Sequence, residues 1–278
     1  MASAQNIVDI VGRGRLSCGV MMEYLDATFS PADFADLPGR DLSGTACVVF
    51  DVLRATSTML TALANGAAAV VPVEDIQQAL EWRRRNPEVL LAGERDGLRI
   101  HAGLTGGVEF DLGNSPREFT AERVAGKVIV TTTTNGTRAL RACAGAPLVL
   151  VGAFLNMKAL AGALRQRGFP RVLLVCGGTF EEMALEDVLA AGALAELLLK
   201  EAPSAGVSDA VEIARQLYRQ HGRDLATAMR LARNGRKLLA NPELSGDVAA
   251  CVQVDSLDLV AAMGRGGLVR RLGAEDTP

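Results

Sequence analysis

The amino-acid sequence predicts an α/β fold: three α/β/α layers with a largely parallel or mixed sheet and a helical insertion toward the C-terminus. Short apolar runs rich in β-branched residues alternate with segments of helical periodicity, which is typical of strand–helix units. Dense polar clusters directly follow several of these runs. At 278 residues, we expect a single domain over 1–278, or two closely joined subdomains.

The predicted strands are the apolar runs themselves, at 45–50, 68–73, 88–92, 127–132, 148–152 and 171–176. Helices are expected in the intervals. One follows the first strand, because Met59, Leu60 and Leu63 share a face. Asp75 is a suitable N-cap for the next helix, and further helices are expected to start near 135, 156 and 183.

The C-terminal part of the chain departs from this alternation. Residues 202–241 show helical patterns at 208–220 and 224–239 with no evident strand between them, which predicts a helical insertion or cap. The pattern from residue 244 to 252 is helical again. The runs 257–263 and 268–272, joined by a glycine-rich link, predict a closing hairpin.

Composition excludes several partners. Hydrophobic residues make up 49% of the chain, and the formal net charge is -3, so no broad positive field would attract nucleic acid or an anionic membrane. Five dispersed cysteines without a CxxC pair indicate reduced thiols. Because no signal peptide or spanning run is evident, we expect a cytoplasmic location. For the oligomeric state, which the sequence does not address, our expectation is a homodimer.

Four apolar runs end in polar clusters that share one predicted edge of the sheet. The clusters are DVLRATST at 51–58, GER at 93–95, TTTTNGT at 131–137 and GGT at 177–179. In an open parallel sheet, the carboxyl ends of the strands lie together and ligands bind beside them. The sequence therefore predicts one polar crevice built from these four loops.

Several of these residues have two interpretations. Asp51 could bind a cation or cap the following helix, because a lone carboxylate at the end of a buried strand is otherwise costly. Asn135 and Gly136 could present a helix N-terminus to phosphate or form a capped polar turn. Arg54 and Arg138 could bind an oxyanion or face solvent. Spacing alone leaves each pair of alternatives open.

Two further segments are equally ambiguous. Asn114 and Ser115 precede a proline and fit either a plain turn or a ligand contact. Glu186 and Asp187 are adjacent near the start of a predicted helix, where they could bind metal or favour the helix electrostatically.

Spacing excludes several phosphatase chemistries. No cysteine is followed by five residues and then arginine, two histidines are too few for a His-rich binuclear site, and no P-loop motif is present. The Asp-x-Asp-x-Thr pattern of aspartyl-phosphate enzymes is half present, because Leu53 replaces the second Asp after Asp51. What remains is a carboxylate-rich site, which suits a hard cation such as Mg²⁺.

Six segments together resemble the 2-phosphosulfolactate phosphatase (ComB) family, and the resemblance extends from about residue 20 to residue 272. They are VVFDVLRATSTMLTALANGA (48–67), AGER (92–95), FDLGNSPREF (110–119), TTTTNGTRAL (131–140), GAFLN (152–156) and LEDVLAAGAL (185–194). The resemblance implies a Mg²⁺-dependent hydrolase that converts a small 2-phospho acid, expected to be 2-phosphosulfolactate, to sulfolactate and phosphate.

The resemblance also selects the candidate site residues, to which we assign roles. The catalytic candidates are Asp51, Arg54 and Glu94. The substrate-binding candidates are Thr56, Asn114, Ser115, Thr133, Asn135, Gly136 and Arg138. The candidate Mg²⁺ ligands are Asp51, Glu186, Asp187 and Asp247.

Two alternatives to this hypothesis stand. In the first, Asp51 is a nucleophile that forms a phosphoenzyme on another phospho acid. In the second, the chain is a non-catalytic phospholigand-binding protein. The number of acidic residues at predicted strand ends favours catalysis.

Overall fold

The computed structural model describes residues 21–273. The strands in this range are β1 (Tyr24–Thr28), β2 (Thr45–Phe50), β3 (Ala69–Pro72), β4 (Leu90–Arg95), β5 (Leu98–Arg99), β6 (Val128–Thr132), β7 (Leu148–Gly152), β8 (Arg171–Cys176), β9 (Gly206–Val207), β10 (Ala261–Met263) and β11 (Val269–Arg271). All of them belong to one sheet, in the order β5-β4-β6-β3-β11-β10-β7-β2-β8-β1-β9.

The helices of the same range are α1 (Pro31–Phe34), α2 (Ala55–Ala64), α3 (Ile76–Arg85), α4 (Ala102–Thr105), α5 (Ala121–Val124), α6 (Gly136–Ala142), α7 (Met157–Arg167), α8 (Leu185–Glu201), α9 (Asp209–His221), α10 (Leu225–Leu231), α11 (Arg233–Leu239) and α12 (Ser245–Cys251). Short 3-10 turns lie at Leu37–Gly39, Pro116–Glu118 and Phe154–Asn156.

The sheet consists of two parallel blocks joined by an antiparallel hairpin, with β5 paired antiparallel to β4 at one edge. Strands β4, β6 and β3 run parallel to one another, and so do β7, β2, β8, β1 and β9. The C-terminal hairpin β10–β11 lies between the blocks, with Ala261 opposite Val151 and Val269 opposite Val70. The prediction of a mixed sheet with a closing hairpin is confirmed, and the hairpin occupies the middle of the sheet.

Strand β2 shows why the fold has three layers. All of its residues are buried, and their side chains alternate between the two faces of the sheet. Val48 and Phe50 pack into a core with α7 and α8. Cys47 and Val49 pack into a second core with α2 and α6. A strand buried on both faces reads as a continuous apolar run, which made β2 predictable from sequence.

The predicted strands at 45–50, 148–152 and 171–176 are confirmed to the residue. Strand β1 was missed because its sequence, YLDAT, has no apolar run, although it lies inside the sheet between β8 and β9. No strand lies between the helices predicted at 208–220 and 224–239, as expected, although the two-residue strand β9 precedes them. The single helix expected at 224–239 is two helices, because Ala232 is extended with φ −70° and ψ 139°.

Helix α8 is the longest helix of the described residues and is packed on most sides. Its apolar residues from Val188 to Ala195 are buried between the sheet and helix α9. Neither α8 nor any other helix within 21–273 is long and apolar enough to cross a membrane. The backbones of α8 and α9 approach closely at Gly192, where a Cβ atom would lie 2.1 Å from the carbonyl oxygen of Ala214.

We expect Gly192→Ala to lower the free energy of unfolding by about 1–3 kcal/mol, because the added methyl group forces α8 and α9 apart. Gly162→Ala in α7 is the matched control, since nothing lies within 4 Å of the Cβ position there. That substitution should be neutral or stabilising by up to about 1 kcal/mol. Urea unfolding of both variants measures the difference, and equal effects would contradict this description of the α8–α9 contact.

Candidate active site

A cleft opens at the carboxyl ends of β2, β4, β6 and β8, where the four polar clusters were predicted to meet. Its cavity volume is about 140 Å³, which suits a small ligand. Its lining comes from the loops after these strands, from Asn114 and from helix α11. The lining residues are Asp51, Leu53, Arg54, Glu94, Asp96, Gly97, Asn114, Thr133, Thr134, Asn135, Gly178, Thr179, Phe180, Arg233, Asn234, Lys237 and Leu238.

Asp51 directly follows β2 and is held in a narrow space. Its Oδ1 accepts a hydrogen bond from the N–H of Ala55 at 3.1 Å, so the cap-like contact of the sequence analysis is present. A Cβ atom at Gly136 would lie 2.7 Å from Asp51 Oδ2, and one at Gly177 would lie 3.5 Å away. Glycine at these positions makes room for the carboxylate, and Thr56 fixes its backbone through bonds of 3.1 and 2.9 Å.

The surroundings of Asp51 disfavour its charge. Burial raises the pKa of Asp51 to about 7, and the charges of Glu94 and Glu186 add to the effect. The Ala55 N–H and the Arg54 guanidinium act in the opposite direction but do not compensate. A carboxylate in this state gains from a nearby cation, which would favour its ionised form.

Glu186 and Asp187 lie in the first turn of α8 and do not line the cleft. Both oxygens of Asp187 accept backbone hydrogen bonds, from Val52 N–H at 2.8 Å and Gly178 N–H at 3.0 Å. Asp187 therefore ties the loop after β2 to the loop after β8. Burial, followed by the charge of Glu186, raises its pKa well above the usual range. Burial also raises the pKa of Glu186, although Asn234 donates to its Oε1 at 2.6 Å.

Arg54 is buried at the cleft wall and is anchored by two acceptors. Its Nη1 donates to Asp247 Oδ2 at 2.7 Å, and its Nη2 donates to the carbonyl oxygen of Gly97 at 2.7 Å. Asp247 Oδ1 accepts from Ser115 Oγ at 2.6 Å and from Arg117 Nε at 2.7 Å. Asp247 is fully buried and does not line the cleft. These contacts indicate that Asp247 positions Arg54. The sequence alone could not distinguish this role of Asp247 from that of a metal ligand.

Glu94 joins two of the loops that form the cleft. Its Oε1 accepts from the N–H and hydroxyl of Thr134 at 3.1 and 2.9 Å, and its Oε2 accepts from the N–H of Gly97 at 2.7 Å. Gly97 has a φ of +86°, a conformation that glycine adopts without strain. The carboxylate of Glu94 thus fixes the turn whose carbonyl oxygen holds Arg54.

Two buried polar atoms on the loop after β6 have no hydrogen-bond partner within the described residues, Thr133 Oγ1 and Asn135 Oδ1. The amide nitrogen of Asn135 is satisfied, since it donates to the carbonyl oxygens of Gly177 and Phe180 at 3.2 and 3.0 Å. Buried polar groups are normally paired, so an unpaired hydroxyl and an unpaired acceptor beside Asp51 indicate a ligand position.

The structure brings part of the predicted set to the cleft surface: Asp51, Arg54, Glu94, Asn114, Thr133 and Asn135. Thr56 and Gly136 contact Asp51 without lining the cleft, and Ser115 contacts Asp247. Arg138 does not line the cleft; it forms an ion pair with Glu181 at 2.9 Å and is half-exposed. The roles assigned to these side chains stay predictions, and the contacts of Thr56, Ser115 and Arg138 do not bring them to the ligand position.

Sequence reasoning missed the contribution of helix α11. Arg233, Asn234 and Lys237 line the cleft from this helix, which belongs to the segment predicted as a helical insertion. Their spacing of i, i+1 and i+4 places them on one side of a helix. This spacing was the feature of the sequence that could have indicated a shared polar surface. Without the fold, nothing connects this side to the strand ends, because the residues are far apart in sequence.

No group of three or more His, Cys, Asp or Glu side chains between residues 21 and 273 is arranged to hold a metal ion. Mg²⁺ in enzymes commonly uses one or two carboxylates and completes its shell with water and substrate oxygens. Asp51 lines the cleft and uses only its Oδ1 in hydrogen bonds within the described residues, and Glu186, whose charge acts on Asp51, accepts from Asn234 through one oxygen. These donors fit a cation held by few protein ligands.

The fold is an α/β sheet with a polar cleft at the carboxyl ends of its strands, which is where proteins of this class bind small ligands. A family model described as 2-phosphosulpholactate phosphatase matches residues 34–266. The chain belongs to this family, and it is a hydrolase of phosphoric monoesters.

Individual relatives agree with this assignment. A probable 2-phosphosulfolactate phosphatase of Symbiobacterium thermophilum is 37% identical over 234 residues, which cover 84% of this chain and 97% of that protein. Another, of Synechococcus sp. strain JA-3-3Ab, is 40% identical over 232 residues and covers 82% of this chain and 93% of the relative. The resemblance found in the sequence motifs is confirmed.

We expect the pKa of Asp51 to appear as a pH dependence of stability in metal-free protein. Because its folded pKa of about 7 lies above the ordinary aspartate value of 3.8, folding favours the protonated form, and this stabilising contribution is lost as pH rises through about 7. Asp51→Asn mimics the protonated group. It should therefore be more stable than wild type near pH 8, by about 2 kcal/mol, with little difference near pH 4.

Urea unfolding with chelator present, at several pH values, measures this difference. Asp41→Asn is the control of opposite sign, because hydrogen bonds from Ser43 lower the pKa of the exposed Asp41 carboxyl. That variant should lose stability above pH 4 rather than gain it. If Asp51→Asn changed stability equally at all pH values, the raised pKa of Asp51 would be refuted.

Proposed function

We propose that the chain is a Mg²⁺-dependent phosphatase that hydrolyses a small 2-phospho acid, with 2-phosphosulfolactate as substrate and sulfolactate and phosphate as products. One observation carries the proposal: the buried, unpartnered Thr133 Oγ1 and Asn135 Oδ1 share a small cleft with the carboxylate of Asp51. A hydroxyl can donate to a phosphoryl oxygen, and an amide oxygen can accept from water or contact a cation. The names of the relatives support the choice of substrate.

The proposed Mg²⁺ would be held by Asp51, with Glu186 directly or through water. Bound Mg²⁺ would supply positive charge that polarises a phosphoryl oxygen and lowers the pKa of the attacking water. The donor chemistry supports this, because burial raises the pKa of both carboxyls and no Arg or Lys of the described residues forms an ion pair with them. Asp187 and Asp247 are better suited to positioning, given their contacts.

The phosphoryl group is proposed to lie between Asp51 and the loop after β6. The Thr133 hydroxyl would donate to one oxygen, and N–H groups in the first turn of α6, which lack intrahelical acceptors, would face another. Arg54, held rigid by Asp247 and Gly97, would add positive charge at the wall. A fixed guanidinium costs little reorganisation when charge develops in the transition state.

Direct attack by water is the mechanism we favour. Asp51 would orient the attacking water, while Leu53 occupies the position at which the two-step aspartyl-phosphate mechanism keeps its acid–base Asp. Glu94 contributes by fixing the turn at Gly97 and the loop at Thr134 relative to each other. A cytoplasmic location and a homodimer stay predictions.

Phosphate release is the direct test. We expect the purified chain to release phosphate from 2-phosphosulfolactate, to lose this activity with a chelator and to regain it with Mg²⁺ or Mn²⁺, because the candidate donors are all oxygen. Full turnover in excess chelator, after removal of bound metal, would refute the metal requirement. Binding of the phospho acid without phosphate release would instead support a phospholigand-binding protein.

Asp51→Asn separates the two mechanisms. If Asp51 holds the cation and orients water, the variant should lose turnover on the order of a hundredfold or more and bind Mg²⁺ more weakly. The wild-type enzyme should then invert the configuration at phosphorus, measured with a chiral phosphate ester. Retention of configuration, or an acyl phosphate at Asp51 trapped by borohydride, would establish the nucleophilic mechanism instead.

A further inference from the structure

Lys237 differs from the other cations that line the cleft. Arg54 is paired with Asp247, and Arg233 is paired with Glu182 and donates to the carbonyl oxygen of Thr179. The ammonium group of Lys237 has no hydrogen-bond or ion-pair partner among residues 21–273, although it lines the same cleft. Among the cationic side chains that line the cleft in residues 21–273, Lys237 is therefore the one whose charge is not already paired and can bind a ligand.

Helix α11 holds this lysine in a defined position. Asn234 donates to both Thr179 Oγ1 and Glu186 Oε1 at 2.6 Å, which ties the helix to the loop after β8 and to α8. Gly235 approaches α10 so closely that a Cβ atom would lie 2.0 Å from the carbonyl oxygen of Met229. Lys237 follows Arg233 by one helical turn on the same side, so these contacts also fix where its side chain starts.

The side chain of Lys237 runs beside the turn that anchors Arg54. Its Cε lies 3.9 Å from the Cβ position of Gly97, whose carbonyl oxygen accepts from Arg54. A lysine with a packed stem keeps its charged end toward water. The side chain is exposed, which places its ammonium group at the mouth of the cleft, while Thr133 and Asn135 are buried deeper.

The substrate class of the proposed function requires a further anion-binding group. A 2-phospho acid with a sulfonate carries negative charge at both ends, and the proposed phosphoryl position uses Asp51, Thr133 and Arg54. The sulfonate is separated from the phosphoester carbon by a methylene group, so it reaches farther than the carboxylate on the same carbon. The ammonium group of Lys237, as a compact positive charge with three donors at the mouth, can bind the sulfonate oxygens.

We propose that Lys237 is a specificity-determining residue that binds the sulfonate of the substrate. This inference rests on the proposed function. It assigns recognition of the phosphate to the strand-end loops and recognition of the distal anion to α11. Substrates that lack the distal anion gain nothing from Lys237, so the residue discriminates between phospho acids that share the same reacting group.

The test compares kcat/KM for 2-phosphosulfolactate and for 2-phospholactate, which has a methyl group in place of the sulfomethyl group. In Lys237→Gln the ratio of the two values should fall about tenfold, mainly through a higher KM for the sulfonated substrate. Lys237→Arg keeps the charge and should restore most of the ratio. Arg236→Gln is the matched control, because Arg236 is exposed on the same helix, does not line the cleft and donates to the carbonyl oxygen of Leu231.

The outcomes are separable. An unchanged ratio in Lys237→Gln, or an equal loss on both substrates, would overturn the assignment while leaving the phosphatase function intact. A similar fall in Arg236→Gln would also overturn it, because the effect would then come from the general charge of α11. If the wild-type protein hydrolysed neither substrate, the proposed function itself would be wrong. Thermal unfolding of each variant checks that the fold is retained.

Discussion

The site depends on acidic side chains that the fold forces together at one edge of the sheet. Burial raises the pKa of Asp51, Glu186 and Asp187, and neighbouring negative charge adds to the effect for Asp51 and Asp187. Backbone N–H groups and Asn234 stabilise them, while the nearby guanidinium groups are paired elsewhere. Such an arrangement is costly unless a cation or a ligand relieves the repulsion, which is common at functional sites.

Much of the polar structure around these carboxylates serves to position other groups. Asp187 bridges two loops through backbone hydrogen bonds, Glu94 bridges two others, and Asp247 fixes Arg54. Because each bridge is buried, its geometry is maintained by packing as well as by hydrogen bonds. The surface of the cleft can therefore present a small number of fixed groups to a small ligand, which is the arrangement expected for electrostatic catalysis.

The loops at the strand ends and helix α11 are proposed to have different roles in substrate binding. The loops after the strands supply the groups proposed to handle the phosphoryl transfer, and these strands are fixed by the apolar cores on the two faces of the sheet. Helix α11 contacts the cleft through a few side chains and is attached through Asn234 and Arg233. Under the proposal for Lys237, changes in α11 would alter which phospho acid is preferred without disturbing the strand ends.

The sequence by itself determined the elements buried on both faces of the sheet and the residues that follow them. A run such as 45–50 has no other stable environment, so both the strand and the position of Asp51 at its end were predictable. Strand β1 could not be predicted, because its mixed sequence becomes a strand only through pairing with β8 and β9.

Only the tertiary structure decided which polar residues face the ligand. Asp247 and Glu94 look alike in sequence, yet one lies wholly behind Arg54 and the other lines the cleft. Lys237 could not be assigned to the cleft because helical spacing defines a face and not what the face meets. The physical reason is that hydrogen bonds and charge interactions act over a few ångströms, and only folding brings residues distant in the chain to that range.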